Sequence, residues 1–204
     1  MKLLGSPSSP YVRKVRIVLE EKRMAYEFVI ARPSAPDSPV PQYNPLGKIP
    51  VLIRDDGRPL YDSSVIVDYL DAVGPQPKLI PDALEDRIEV KRWEALGDGV
   101  AEATVLISHD YRKPKDKWEG AEWHRKHRLK IDRGLEAIAR DLRDKPHCHG
   151  DAYTLADVAS CYALHYLDYA LPEVEWRDAY PVLARFADRL AQRPAYANTA
   201  HPQS

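Results

Sequence analysis

Apolar positions change their spacing once along this chain, and that change divides it. Residues 2–5 read as a minimal first strand, followed by the polar loop Ser6–Ser9. Pro10 suits the first position of a helix with Ser9 as its N-cap, and Val12, Val15, Val18 and Leu19 give that helix an inward stripe ending near Arg23. Tyr26, Phe28 and Ile30 alternate as a second strand. A proline-rich loop follows, from Pro33 to Pro45. Val51-Leu52-Ile53 is a short apolar run suited to a buried strand, Asp55-Asp56-Gly57 a tight turn, and Leu60-Tyr61 resumes extended structure. Asp62, Ser63 and Ser64 then precede Val65, Ile66, Tyr69 and Leu70 at helical spacing.

Gly74-Pro75-Gln76-Pro77 opens a stiff linker ending at Pro81, and beyond it strand signals vanish. A long helix is expected from Asp82 to about His109, with Ile88, Trp93, Leu96, Val100, Thr104 and Ile107 on or near one face. A second spans Glu119 to Leu142 through Trp123, His127, Ile131, Leu135 and Ile138. Thr154-Leu155-Ala156-Asp157 resembles a capping box with Asp as the reaching acid, and it opens a largely apolar, buried helix through Leu171. A last helix runs from Pro181 to about Gln192, stopped by Arg193-Pro194. The expected domains are an α/β domain over 1–73, a linker over 74–81 and an all-α domain over 82–204.

Three features of the stretch Asn44–Ser64 point to a ligand. A proline at Ile49-Pro50, if its bond is cis, turns the preceding amide and carbonyl outward, where they can hold an extended peptide like an added strand. The helix start at Asp62-Ser63 offers free N–H groups, a hydroxyl and the positive dipole end, which suit a carboxylate. Lys48 is a mobile cation beside that backbone. A short peptide with two carboxylates fits all three.

This stretch, NPLGKIPVL followed by Asp62-Ser63, resembles the glutathione site of the glutathione S-transferase family, in its bacterial, serine-type, cytosolic form. The resemblance implies a thioredoxin-like first domain (βαβ-ββα), and the Thr154–Asp157 sequence resembles one carried by the family's all-helical domain. It implies glutathione as co-substrate: Ile49 bonding the cysteinyl backbone, Ser63 the γ-glutamyl carboxylate, Asp62 its ammonium and Lys48 the glycyl carboxylate. Counting five residues back from Lys14, as in serine-type members, assigns the catalytic role to Ser9; Ser6 and Ser8 stand close enough to take it instead. A hydroxyl at a helix N-terminus can stabilise a thiolate without acting as its base. The hydrophobic electrophile is expected between Ser9 and the helical domain, with Tyr11, His109, Tyr111 and Arg112 as second-substrate residues and Trp118 and Trp123 nearby. A homodimer is also implied.

Composition narrows the classes. In 204 residues, 30 Lys+Arg against 31 Asp+Glu leave no global field for nucleic acid or acidic lipid. No apolar run approaches the ~20 residues of a membrane span, and the first residues are too short for a signal peptide. The cysteines, Cys148 and Cys161, make no disulfide framework, which fits a reducing cytoplasm. Neither lies in the first domain, so conjugation is favoured over thiol–disulfide exchange; the resemblance implies a detoxifying role. His147-Cys148-His149 lacks the distant partners of a tetrahedral metal site, so no metal is expected. From Arg112 to Arg133 there are nine Lys/Arg against four Asp/Glu, a solvated helix face without a stacking pattern for nucleic acid. Two rival functions stay open: a non-catalytic binding protein of the same fold, similar to stringent-starvation proteins, and a glutathione-dependent isomerase or dehalogenase.

Overall fold

The computed structural model describes residues 1–202. The chain divides into two compact units: residues 1–80 with the segment from Gln192 onward, and Pro81–Ala191.

In the first unit β1 (Lys2–Gly5), α1 (Pro10–Glu21), β2 (Glu27–Ile30), α2 (Val40–Tyr43), β3 (Val51–Ile53), β4 (Pro59–Leu60) and α3 (Ser63–Val73) follow one another. The strands form one sheet in the order β2-β1-β3-β4. β1 pairs parallel with β2 (Leu3 opposite Phe28) and antiparallel with β3 (Leu4 opposite Val51), while β3 pairs antiparallel with β4 (Leu52 opposite Leu60). This is the thioredoxin-like sheet. α1 buries Val12, Val15, Val18 and Leu19 as its stripe requires, and α1 and α3 pack on each other. α2 lies inside the stretch expected to be loop. Its Val40 joins Leu4, Ala31 and Val51 in a buried cluster, so packing outweighs the prolines around it.

Two buried charges finish this unit. Lys22, just past α1, meets Asp71 of α3 at 2.6 Å. The same ammonium donates to the carbonyls of Pro75 (3.0 Å) and Pro77 (2.8 Å). Asp71 in turn accepts from the backbone N–H groups of Leu79 (2.7 Å) and Ile80 (3.1 Å). The proline-rich linker is therefore fastened to the first unit by one ion pair.

The second unit contains α4 (Leu84–Tyr111), a 3-10 turn over Lys115–Lys117, α5 (Ala121–Leu142), α6 (Leu155–Ala170), α7 (Trp176–Ala179) and α8 (Pro181–Ala191). α4 buries Trp93, Val100, Thr104 and Ile107, but Leu96 is only half-buried and Ile88 is 58% exposed, so the expected stripe fails at its N-terminal end. α5 begins at Ala121 rather than Glu119, because the Glu119 N–H is captured by Asp110 at 2.9 Å. α6 is buried almost all round, and its capping box is formed: Asp157 Oδ2 accepts from the Thr154 N–H at 2.8 Å. Asp157 also takes the Cys148 N–H (3.0 Å) and pairs with His147 (3.3 Å), whereas His149 pairs with Asp86 (3.0 Å). The His-Cys-His run is thus divided between a helix cap and a surface pair.

α4 and α6 approach closely at Gly97, where an added Cβ would lie 2.3 Å from the Ala159 carbonyl oxygen. Gly97→Ala should destabilise the protein by about 1–3 kcal/mol, despite the ~1 kcal/mol gained in helix propensity. Thermal unfolding checks this, and an unchanged or raised Tm would contradict it.

After α8 the chain leaves the helical unit. α9 (Pro194–Ala197) packs on α1. The expectation of a helical domain reaching 204 therefore does not describe this last stretch. Arg193 clamps Glu21 at 2.8 and 2.7 Å, and Arg13 and Arg16 of α1 hold backbone carbonyls beyond it.

Candidate active site

Strand register brings the candidate residues to one edge of the sheet. Leu4 opposite Val51 and Leu52 opposite Leu60 set the end of β1, the start of β3 and the end of β4 side by side. Continued by one to four residues past the strand ends, that register places the Ser6–Ser9 loop, Ile49-Pro50 and Asp62-Ser63 at the same end of the sheet. The Ile49–Pro50 peptide is cis, as is Tyr61–Asp62.

Ser9 caps α1, its Oγ accepting from the Val12 N–H at 3.4 Å. That bond uses a lone pair and leaves the hydroxyl proton available. Ser6 and Ser8 bond each other at 2.9 Å, which uses the proton of one of the two hydroxyls. The loop is closed by the Ser9 N–H donating to the Ser6 carbonyl at 3.0 Å.

Asn44 shapes the second element. It is buried, and its side-chain amide donates to the Lys48 carbonyl (2.9 Å) while its Oδ1 accepts from the Leu46 N–H (3.0 Å). The Gly47 N–H bonds the Asn44 carbonyl at 2.8 Å, with Gly47 at φ +62°, where glycine is favoured. This loop presents Ile49, half-buried against the Val40 cluster, and Lys48, which is exposed. Asn44 was legible only as part of a motif; its bracing role gives no composition signal.

At the third element Asp62 caps α3. Its Oδ1 accepts from the Ser64 N–H (3.1 Å), the Ser64 hydroxyl (2.6 Å) and the Val65 N–H (3.5 Å). Partial burial works to raise its pKa, but these bonds and the positive charge of Lys14 prevail and hold the carboxyl below its ordinary range. Lys14 itself is fully buried on α1, so the basic residue that served only to count back to Ser9 also helps keep Asp62 ionised. Ser63, the first residue of α3, is buried. An N1 amide has no partner within its helix, so a buried hydroxyl and a helix-terminal N–H stand together there.

Among the second-substrate candidates, Tyr11 is half-buried at the start of α1, in the first unit. His109, Tyr111 and Arg112 lie at the end of α4, in the second unit. His109 and Arg112 are exposed. Partial burial and then the Arg112 charge lower the His109 pKa, so its imidazole is favoured neutral. Burial, followed by the Glu173 carboxylate, raises that of Tyr111. The Tyr111 ring packs with Trp118 (centroids 4.9 Å apart) and His124 (5.1 Å), and Trp123 packs against His127 (4.3 Å). Buried Asp110 organises this group, accepting from His124 at 2.7 Å and from Lys113 at 2.8 Å. Burial works against its charge, but bonds from Lys113, His124 and Glu119 hold its pKa down to about 2. A cavity of about 230 Å³ opens beside Tyr111 and His124, floored by Ile107, Leu171 and Val174.

Residues 3–78 match the family model "Glutathione S-transferase, N-terminal domain", and residues 121–189 match "Glutathione S-transferase, C-terminal domain". Over 204 residues, all of both chains, the sequence is 33% identical to the uncharacterized GST-like protein YibF of Escherichia coli (strain K12). The chain belongs to the glutathione S-transferase family. Among solved structures, a glutathione S-transferase from Methylobacillus flagellatus KT with GSH bound superposes with a TM-score of 0.94, at 41% identity, over 98% of this chain and 99% of that one. Another, from Methylobacterium radiotolerans JCM 2831 in complex with glutathione sulfonate, gives 0.93 at 38% identity, over 100% and 96%. The fold inferred for this glutathione S-transferase family member, a thioredoxin-like sheet followed by helices, is the one observed. No helix among the described residues is long and apolar enough to cross a membrane.

Proposed function

We propose that this protein is a glutathione transferase that binds glutathione along the sheet edge of its first unit, ionises the thiol with help from Ser9, and adds the thiolate to a hydrophobic electrophile. The observation that carries the reading is the convergence, by strand register, of a hydroxyl-capped helix start, the Ile49-Pro50 backbone and the buried Ser63 at α3. Glutathione bound in solved relatives supports the ligand.

In this reading Ser63 and the start of α3 take the γ-glutamyl carboxylate, Asp62 the ammonium, Ile49 the cysteinyl backbone and Lys48 the glycyl carboxylate. Ser9 is favoured over Ser6 and Ser8 because its hydroxyl stands at the N-terminus of α1 and acts only as an acceptor there, whereas one proton of the Ser6–Ser8 pair is used within the pair. The thiol proton leaves to water, Ser9 donates its hydroxyl to the sulfur, and the helix dipole adds to the stabilisation. The sulfur lone pair then forms a C–S bond while the electrophile expels its leaving group, or takes up a proton after addition. Tyr11, His109, Tyr111 and Arg112 are the proposed second-substrate residues. The same reading makes the protein a cytoplasmic, homodimeric detoxifying enzyme that works without a metal.

Titration calorimetry with glutathione, joined to turnover of a chlorodinitrobenzene reporter, tests the proposal; no heat at millimolar glutathione would overturn it. Ser63→Ala should weaken glutathione binding about tenfold, the equivalent of ~1.4 kcal/mol for one bond to a carboxylate. Affinity within twofold of the parent would remove Ser63 from the site.

A further inference from the structure

Residues 192–202 run back over α1, and His201 reaches the loop that carries Ser9. Arg193 is joined to Glu21. Arg13 donates to the Tyr196 carbonyl (3.4 Å), Arg16 to that of Asn198 (3.1 Å), and the Asn198 amide to Glu20 (3.2 Å). Thr199, fully buried, closes the turn with its hydroxyl on the Ala195 carbonyl at 2.6 Å. Every one of these α1 partners lies on the helix that Ser9 caps.

The last contact leaves the helix for the loop. His201 Nδ1 sits 3.2 Å from the carbonyl of Pro7, between Ser6 and Ser8. A carbonyl can only accept, so Nδ1 carries the proton. Burial of the ring, with the charges of Arg13 and Arg16, keeps the imidazole neutral at ordinary pH by holding its pKa down to about 4. Pro7 belongs to a tight loop closed by the Ser9-to-Ser6 backbone bond and the Ser6–Ser8 hydroxyl pair. A shift of the Pro7 carbonyl is therefore passed directly to Ser9.

We infer that His201 is a positioning residue for the reaction: its hydrogen bond to Pro7, held in place by the segment packed on α1, sets where the Ser9 hydroxyl points. The inference rests on the reading of Ser9 as the group that faces the glutathione sulfur. His201 touches neither glutathione nor electrophile in this scheme, so its effect should appear in thiol ionisation and not in glutathione affinity.

The test uses the full chain with His201→Phe, which keeps a ring and removes the donor, and His201→Asn, which restores an N–H near the place of Nδ1. His201→Leu carries the same expectation as the phenylalanine variant should that ring not be accommodated. Thiolate absorbance of bound glutathione, followed against pH, reports ionisation. In His201→Phe the bound thiol should ionise at higher pH and kcat should fall about three- to tenfold, with the glutathione Kd within about twofold of the parent. His201→Asn should recover most of the loss, and Ser9→Ala/His201→Phe should be no worse than Ser9→Ala alone. A lowered Tm with unchanged thiol ionisation, or losses that simply add in the double variant, would overturn the positioning role. If Ser9→Ala itself leaves thiol ionisation unchanged, the reading of Ser9 falls. If Ser9→Ala shifts it and His201→Phe does not, only the role of His201 falls.

Discussion

Asp71→Ala is expected to destabilise the protein by roughly 3–5 kcal/mol, the usual cost of removing one partner from a buried ion pair. All three ammonium hydrogens of Lys22 are engaged, by Asp71 and by the carbonyls of Pro75 and Pro77. Without the carboxylate the cation stays buried with carbonyls alone, and the Leu79 and Ile80 N–H groups lose their acceptor as well. Lys22→Met should cost less, because the carboxylate keeps both N–H donors. A Lys22→Met/Asp71→Leu double variant should fall short of the sum of its single effects. Urea unfolding at neutral pH measures each. A loss below about 1 kcal/mol for Asp71→Ala would mean that water reaches and solvates the pair.

The second large effect belongs to Ser9. Ser9→Ala should lower kcat/KM by about 10- to 100-fold, since a hydrogen bond to a charged group contributes ~1.5–3 kcal/mol and each 1.4 kcal/mol is a factor of ten. The pH dependence separates this from general damage. If Ser9 stabilises the thiolate, its loss moves thiol ionisation upward. The deficit is then largest near neutral pH and shrinks as pH passes the variant's own thiol pKa. The lost N-cap costs about 1 kcal/mol of stability besides. Ser9→Thr keeps a hydroxyl and should retain most activity, whereas Ser6→Ala and Ser8→Ala should act weakly. A flat parent-to-variant ratio across pH would assign Ser9 to the cap alone.

What could be read from the residues follows the range over which each signal acts. Alternating and helical periodicities, N-caps and turn glycines are local, and they located β1, α1, β2, β3, α3 and the long helices within a few residues. The Ser9 and Thr154 caps and the Asn44–Ser64 arrangement belong to the same class. The short helices α2 and α9 did not show, because their prolines read as loop and only tertiary burial of Val40 and Tyr196 holds them. Ile88 and Glu119 were misread for the converse reason: one apolar position packs on no other element of this chain's described residues closely enough to be buried, and one helix start is displaced by an acceptor nine residues away. The burial of Lys14 and Lys22 was not legible, since nothing near them in the sequence announces Asp62 or Asp71. Long-range polar pairing was the part that stayed hidden.

The wrapping of α1 by residues beyond Gln192 also bears on biosynthesis. The sheet-containing unit is assembled from two pieces of chain that emerge from the ribosome more than a hundred residues apart. Its opening eighty residues can collapse early, yet Arg13 and Arg16 gain the Tyr196 and Asn198 carbonyls only after the whole helical unit has been synthesised. Completion of the sheet-containing unit is thereby tied to synthesis of residues 192–202, so a ribosome stalled inside the helical unit would display an α1 that lacks these partners.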